Sequence, residues 1–286
     1  MTDRPAVAGR VAVVTDSTAY LPAGRAVEIG IRVVPVQVVI AGRAYDEGSE
    51  VTPDQVALAL REWQPVSTSR PAPETFLAAY RELAEAGATG IVSAHLSADM
   101  SGTFESALLA ARGAPVPVRV VDSRSIAMGL GYAVLTGAEL AGRGEGVDAV
   151  AAAIEKRSTS SSVFFYVDTL EYLRRGGRIG AAQKLLGQAL KVKPLLELVD
   201  GRVAPLEKVR TASKALARLE EIAVERAGPG DVDVAVQHLQ SPDRAAELAL
   251  RLGERLPRAD VVVGQVGAVV GAHVGPGMVA VVVSPR

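Results

Sequence analysis

Short β-branched apolar runs, each closing on polar residues, alternate with helix-patterned stretches through the first half of this 286-residue chain. That rhythm limits the fold more than any other feature. Positions 11–15 run into Asp16-Ser17-Thr18 and read as a buried strand feeding a polar loop. Positions 31–40 form a second β-branched run. Thr52-Pro53-Asp54 opens a helix, with Thr52 as N-cap and Pro53 in the first helical position. A second helix is expected over 73–86, stopped by Gly87. A strand at 90–96 leads through the polar segment 97–103 into a helix at 104–112, and a strand at 118–122 precedes a long Ala/Leu helix. Strands alternating with helices predict an α/β fold with a mostly parallel sheet and helices on both faces.

From position 163 the rhythm changes. A strand is expected at 163–167 and helical stretches on to Leu190. Asp200-Gly201, between strand-like runs at 195–199 and 203–206, suits a tight I′ turn and predicts a β-hairpin. An amphipathic helix over 212–226 stops at Gly228-Pro229-Gly230. Strands are expected at 231–239, 259–266 and 278–284, with one helix interposed. A hairpin among helices predicts a mixed sheet with helices in a second lobe. The polar stretch 158–162 sets the boundary, giving an N-terminal α/β lobe over 1–157 and a C-terminal α/β lobe over 158–286.

With 49% hydrophobic and 22% charged residues the chain can bury a large core, and with 4% aromatics the packing must be aliphatic. Thirty-one basic residues balance thirty-two acidic ones. The densest basic run is Arg174, Arg175 and Arg178, so the basic stripe of a nucleic-acid binder is missing. Cysteine is absent, which excludes disulfides, thiolate catalysis and cysteine-based metal sites. Residues 1–10 lack the apolar core of a secretory signal. The longest apolar stretches, 31–41 and 261–283, are interrupted by Pro35 and by Gly275-Pro276-Gly277. They fall short of the roughly 18 uninterrupted apolar residues of a membrane helix. A cytoplasmic protein with no integral membrane segment is expected.

In open α/β sheets, ligands bind outside the carboxyl ends of the strands. Asp16-Ser17-Thr18, Ser67-Thr68-Ser69-Arg70-Pro71 and the segment 97–103 put hydroxyls at such positions, and the glycine-rich segment 271–277 adds a fourth candidate. Ser101 can cap the helix that follows it, or stand beside free amides that attract an anion. Thr68-Ser69 reads equally as a structural turn ahead of a helix. His273, beside a forced bend, is a hydrogen-bond donor, an acid/base group or a plain structural histidine. His95 and His238 read as core or strand-end residues. Over 170–180, arginines bracket Gly176-Gly177. They suit bidentate recognition of phosphate or carboxylate, or simply complement a helix end. Lys208-Val209-Arg210-Thr211 places basic residues ahead of another helix, where a solvated surface is the plain alternative.

Taken in order, these segments resemble the DegV family. The matching series is Asp16-Ser17-Thr18 after its strand, Thr68-Ser69-Arg70-Pro71, Ser97-Ala98-Asp99-Met100-Ser101-Gly102-Thr103, the arginine-glycine stretch to Ile179, residues 208–211, and Ala272-His273-Val274-Gly275-Pro276-Gly277. The resemblance spans positions 11–284. It implies a two-lobed protein that holds one long-chain fatty acid between its lobes and carries no catalytic residues, metal or cofactor of its own. It also implies the lipid-binding subunit of a bacterial fatty acid kinase, a carrier that presents its ligand to a separate ATP-binding kinase subunit for acyl-phosphate formation. Thr68 and Ser101 would then bond the carboxylate, with Ser69, Ser97, Gly102 and His273 around them. Arg178 and Arg210 would face the kinase or the transferred phosphate. The chain departs from the pattern at Arg70, where many relatives have Gln, and at Ala98, where many have a second Ser. It also lacks a further glycine after Gly277.

The chain contains no P-loop of the G-x-x-x-x-G-K-[ST] type, so phosphoryl transfer needs a partner. Three rival readings stand beside the carrier. One is a Ser/His hydrolase using His273, which lacks a G-x-S-x-G elbow. The second is a phosphotransfer subunit of dihydroxyacetone-kinase type with His273 as its covalent site, and the third an interaction module without a ligand.

Overall fold

The computed structural model describes residues 10–185 and 193–286. β1 (Val11–Asp16) is buried along almost its whole length, and α1 (Arg25–Glu28) is a single turn before β2 (Ile31–Val34). The run expected over 31–40 is not one strand. Pro35, which cannot donate to a ladder, ends β2, and the chain re-enters as β3 (Gln37–Ile40) in a different sheet before turning into β4 (Arg43–Asp46). α2 (Pro53–Arg61) starts as the sequence predicts. The Thr52 hydroxyl accepts the Gln55 amide at 3.3 Å and the Gln55 side chain accepts the Thr52 amide at 2.8 Å, a full capping box. β5 (Val66–Ser69) pairs antiparallel with β3. Thr68 therefore sits on a strand, opposite Val38, and not in a turn.

α3 (Pro73–Glu85), β6 (Gly90–His95), α4 (Thr103–Ala111) and β7 (Val118–Asp122) keep the expected alternation. The long helix expected next is two, α5 (Met128–Gly142) and α6 (Val147–Ser160). Gly144, at φ 88°, turns the chain between them.

β8 (Ser162–Tyr166) opens the second half, followed by α7 (Glu171–Arg175) and a 3-10 turn at Gly180–Leu185. Of the helical stretch expected up to Leu190, positions 186–190 lie outside the described residues. β9 (Lys193–Val199) and β10 (Arg202–Val209) form the expected hairpin. Asp200 at φ 49° and Gly201 at φ 79° supply the two left-handed residues of its turn. α8 (Ala212–Ala227), β11 (Val232–His238), α9 (Pro242–Arg255) and β12 (Ala259–Gln265) also match. The first four residues of the glycine-rich segment 271–277 belong to a helix, α10 (Ala268–Val274), whose last turn carries His273. Only Gly275 and Gly277 beyond it take positive φ. β13 (Val279–Pro285) ends the series.

The parallel sheet has the order β2-β1-β6-β7. Leu130, Val134 and Ile154 of α5 and α6 pack one face, while Phe76, Tyr80 and Ala107 of α3 and α4 pack the other. The second sheet is mixed, in the order β10-β9-β8-β13-β11-β12, with β11 and β12 parallel and the other pairs antiparallel. Phe164 and Tyr166 face α8 and α9, while Val163 and Phe165 face the opposite way. The third sheet, β4-β3-β5, packs against α2 and α10 through Val38, Val56, Ala268 and Ala272. A helix from late in the chain thus seals a sheet from early in it. The boundary expected at 157/158 falls in the last turns of α6. Among the described residues no helix is long and apolar enough to cross a membrane.

Strand order in the parallel sheet reverses between β1 and β6. In folds of this kind the crevice at such a reversal, at the carboxyl ends of the strands, receives the ligand.

Candidate functional site

A cavity of about 350 Å³ lies where the three sheets meet. Val36, Leu96, Phe165, Leu198, Val270 and Met278 give it apolar walls, and its polar lining is Thr68, Ser69, Arg70, Ser101, Arg178 and His273. Among the described residues no acidic side chain lines it. The volume is at the lower end of ordinary ligand pockets.

His273 is the hinge of the polar end. Its Nε2 lies 2.9 Å from the Thr68 hydroxyl. Burial first, and the charge of Arg178 second, push its pKa down to about 4, so the ring is neutral at pH 7. Its Nδ1 is buried without a hydrogen-bond partner among the described residues. A bare lone pair there costs less than a stranded N–H, which puts the proton on Nε2 and leaves Thr68 as the acceptor. The ring packs against Gly176. A Cβ at that position would come within 2.7 Å of Cε1 and nearer still to Nδ1.

α10 holds this histidine in place, and Glu47 holds α10. The buried Glu47 carboxylate accepts the Val269 amide at 2.7 Å and the Tyr20 hydroxyl at 3.1 Å. It also accepts the Ser17 hydroxyl, while the Tyr20 oxygen in turn accepts the Val270 amide at 3.1 Å. Two free amides of the first turn are satisfied in this way. Burial raises the Glu47 pKa against these donors, and burial followed by the Glu47 charge raises that of Tyr20.

Ser101 does not occupy the N-cap of α4. The Met100 and Ser101 amides both bond the Ser97 carbonyl, at 3.0 and 3.1 Å, forming a tight turn ahead of the helix. Gly102 takes the cap position without a side-chain bond. The Ser101 hydroxyl lies 2.9 Å from that of Thr103 and accepts the Thr103 amide at 3.3 Å.

The structure gathers Thr68, Ser69, Ser101, Gly102, Arg178 and His273 on one cavity. Ser97 does not join them. It is fully buried, and its hydroxyl donates to the Gly201 carbonyl at 2.8 Å, tying the hairpin tip to the segment that carries Ser101. Arg178, expected to point at a partner, lies along the cavity wall. Its Nε donates to the Met100 carbonyl at 3.0 Å and its Nη1 to the Gly176 carbonyl at 2.7 Å. Arg210 is exposed just past β10 and does not line the cavity.

A second polar chain bears on the hydrolase reading. The Tyr80 hydroxyl donates to Ser93 at 2.9 Å, Ser93 meets His95 Nε2 at 2.7 Å, and His95 Nδ1 meets Asp16 at 3.1 Å. This is the bonding order of a hydrolytic triad. All four residues are fully buried, however, so Ser93 has no route to a substrate. His273, for its part, bonds a threonine. Among the described residues no group of three potential metal ligands occurs.

Residues 10–286 match the family described as "Uncharacterised protein, DegV family". The chain belongs to the DegV family. A DegV domain-containing protein of Streptomyces coelicolor is 60% identical over 277 residues, covering 96% of this chain and 99% of that one. A DegV family protein from Thermus thermophilus, described as fatty-acid-binding, superposes with a TM-score of 0.92 at 36% identity, over 97% of this chain and 100% of the other. DegV from Bacillus subtilis, described as a fatty acid binding protein, does so with a TM-score of 0.89 at 31% identity, over 97% and 100%.

Within this DegV fold, Glu47, Tyr20 and Gly176 were missed by the sequence reading. Glu47 sits in the acidic stretch Tyr45-Asp46-Glu47, where it looks like surface. Only the closeness of Tyr20 and Ser17 to the first polar loop hinted at a role. Gly176 reads as one of a glycine pair between arginines, and nothing local to it points to the histidine ring.

Proposed function

We propose that this chain binds one long-chain fatty acid, its carboxylate held by Thr68 and Ser101, and presents it in the cytosol to a separate ATP-binding kinase subunit for acyl-phosphate formation. The observation that carries the proposal is the cavity itself, which combines aliphatic walls with hydroxyl and guanidinium groups and has no acidic lining. Burying a long tail brings about 0.8 kcal/mol per methylene. A carboxylate resists burial unless donors replace its water. The neutral His273 donates to Thr68, which frees the Thr68 hydroxyl proton for the carboxylate. With the Thr103 hydroxyl donating to Ser101, the Ser101 proton is free in the same way. Ser69 and Gly102 border the head group, and Ser97 acts indirectly by holding the segment that carries Ser101. Arg178, on the cavity wall, is assigned to the phosphate being transferred, and the exposed Arg210 to the kinase encounter. The chain contributes binding and orientation to that reaction, and the partner supplies the phosphoryl group.

Native mass spectrometry of the purified chain tests this reading. A retained mass equal to a long-chain fatty acid is expected, and it should be lost in the Thr68→Ala, Ser101→Ala double variant with unchanged circular dichroism. A small polar adduct in place of a lipid, or undiminished lipid in the double variant, overturns it.

A further inference from the structure

Two of the described residues lining the cavity are cationic, and they are held differently. Arg178 is anchored on two backbone carbonyls. Arg70, which follows β5 directly, is exposed. Among the described residues its guanidinium has neither a hydrogen bond nor an ion pair. It nevertheless does not stretch away into solvent. Its side chain lies over Gly102, where a Cβ would come within 2.8 Å of Arg70 Cδ and 3.3 Å of Cζ. Gly102 leads into the first turn of α4 and brings no capping side chain.

A guanidinium therefore rests on the positive end of a helix, where a cation is the unfavourable charge. Thr68 and Ser101 share the same cavity, and among the described residues no carboxylate lines it to balance the arginine. An anion seated between Arg70 and the α4 amides removes the conflict. A carboxylate brings a single negative charge, which the two hydroxyls already serve. A phosphate-type head carries close to two charges and three acceptor oxygens, leaving enough free acceptors for a guanidinium fork as well.

We propose that Arg70 contacts the charged head of the bound lipid and biases the cavity toward a doubly charged, phosphate-type head over a carboxylate. This rests on the fatty-acid reading above. The absence of a side chain at Gly102 lets Arg70 lie down against the helix.

The test compares hexadecanoic acid, hexadecylphosphonic acid and hexadecanol as competitors of a fluorescent fatty acid at pH 8, on the full chain and on Arg70→Gln and Arg70→Lys. Removing a charge-assisted bond should weaken the phosphonate on the order of tenfold or more in Arg70→Gln. The acid should weaken less, the alcohol should hold its affinity, and Arg70→Lys should recover part of the loss. Equal losses for all three probes, or no loss for the phosphonate, overturn the role of Arg70 while leaving fatty-acid binding in place. A wild-type chain that binds none of the three removes the fatty-acid reading, and this inference with it.

Discussion

Gly176→Ala isolates the packing that aims His273. The backbone at Gly176 has φ −75° and ψ −6°, a conformation any residue adopts, so the substitution introduces no backbone strain. Lower unfolded-state entropy would by itself stabilise the fold by about 0.4–1 kcal/mol. The new methyl overlaps Nδ1 and comes within 2.7 Å of Cε1, so reaching ordinary contact near 3.4 Å requires a retreat of more than about 0.7 Å. The Thr68–His273 bond at 2.9 Å cannot absorb that, because the hydrogen-bond range ends near 3.2 Å. The ring must swing off Thr68, and the Thr68 proton then loses its direction toward the anion. A hydrogen bond to a charged group contributes about 1.5–3 kcal/mol, so fatty-acid affinity should fall about ten- to a hundredfold. Displacement of a fluorescent fatty acid measures the loss, and thermal melting should show no matching destabilisation. In a His273→Ala background the same substitution should cost nothing further. Affinity within twofold of wild type, or an equal loss with and without the imidazole, would refute the argument.

Other consequences follow from the same geometry. Glu47→Ala strands the Val269 amide and two hydroxyls and should cost about 3 kcal/mol or more in urea unfolding. Glu47→Gln keeps an acceptor for Val269 and Tyr20 while Ser17 reorients, and should stay within about 1 kcal/mol. Equal effects of the two would discount the cap on α10. Because His273 is held at about 4 against an ordinary 6.5, the unfolded chain takes up a proton at a pH where the native ring stays neutral. The stability present above pH 6.5 is therefore lost as the pH falls toward 4, by up to about 3 kcal/mol, and levels off below that. His273→Asn should flatten the fall in melting temperature between pH 7 and pH 4.5, and an unchanged slope would contradict the buried neutral ring.

Local signals carried well wherever one short segment contained the whole cause. The capping box at Thr52 and the paired left-handed residues at Asp200-Gly201 are complete in a few letters. The order of strands and helices was legible for the same reason. Pro35 was visible too, but the consequence of the break, a third sheet, was not, because β3, β4 and β5 are short and their partners lie across other elements. α10 was hidden by its own glycines. Gly271 is helical and packs near Leu239, so its small size serves packing and not a bend. At the site, hydroxyl-rich segments at strand ends pointed to Thr68 and Ser101. Ser97, equally placed in the sequence, is drawn away by a hairpin tip more than a hundred positions later. No spacing rule separates two such serines. What decides is which backbone comes to meet each one.

The position of β13 has a consequence for how such a chain acquires its shape. It is the last of the six strands of the mixed sheet in sequence, yet it lies between β8 and β11 and pairs with both. During synthesis the hairpin half of that sheet and the β11–β12 half must wait side by side, each with an open edge, until this keystone slots between them. Thr68 and His273, 205 positions apart, can likewise meet only late. Long-range closure of this kind is intrinsically slow.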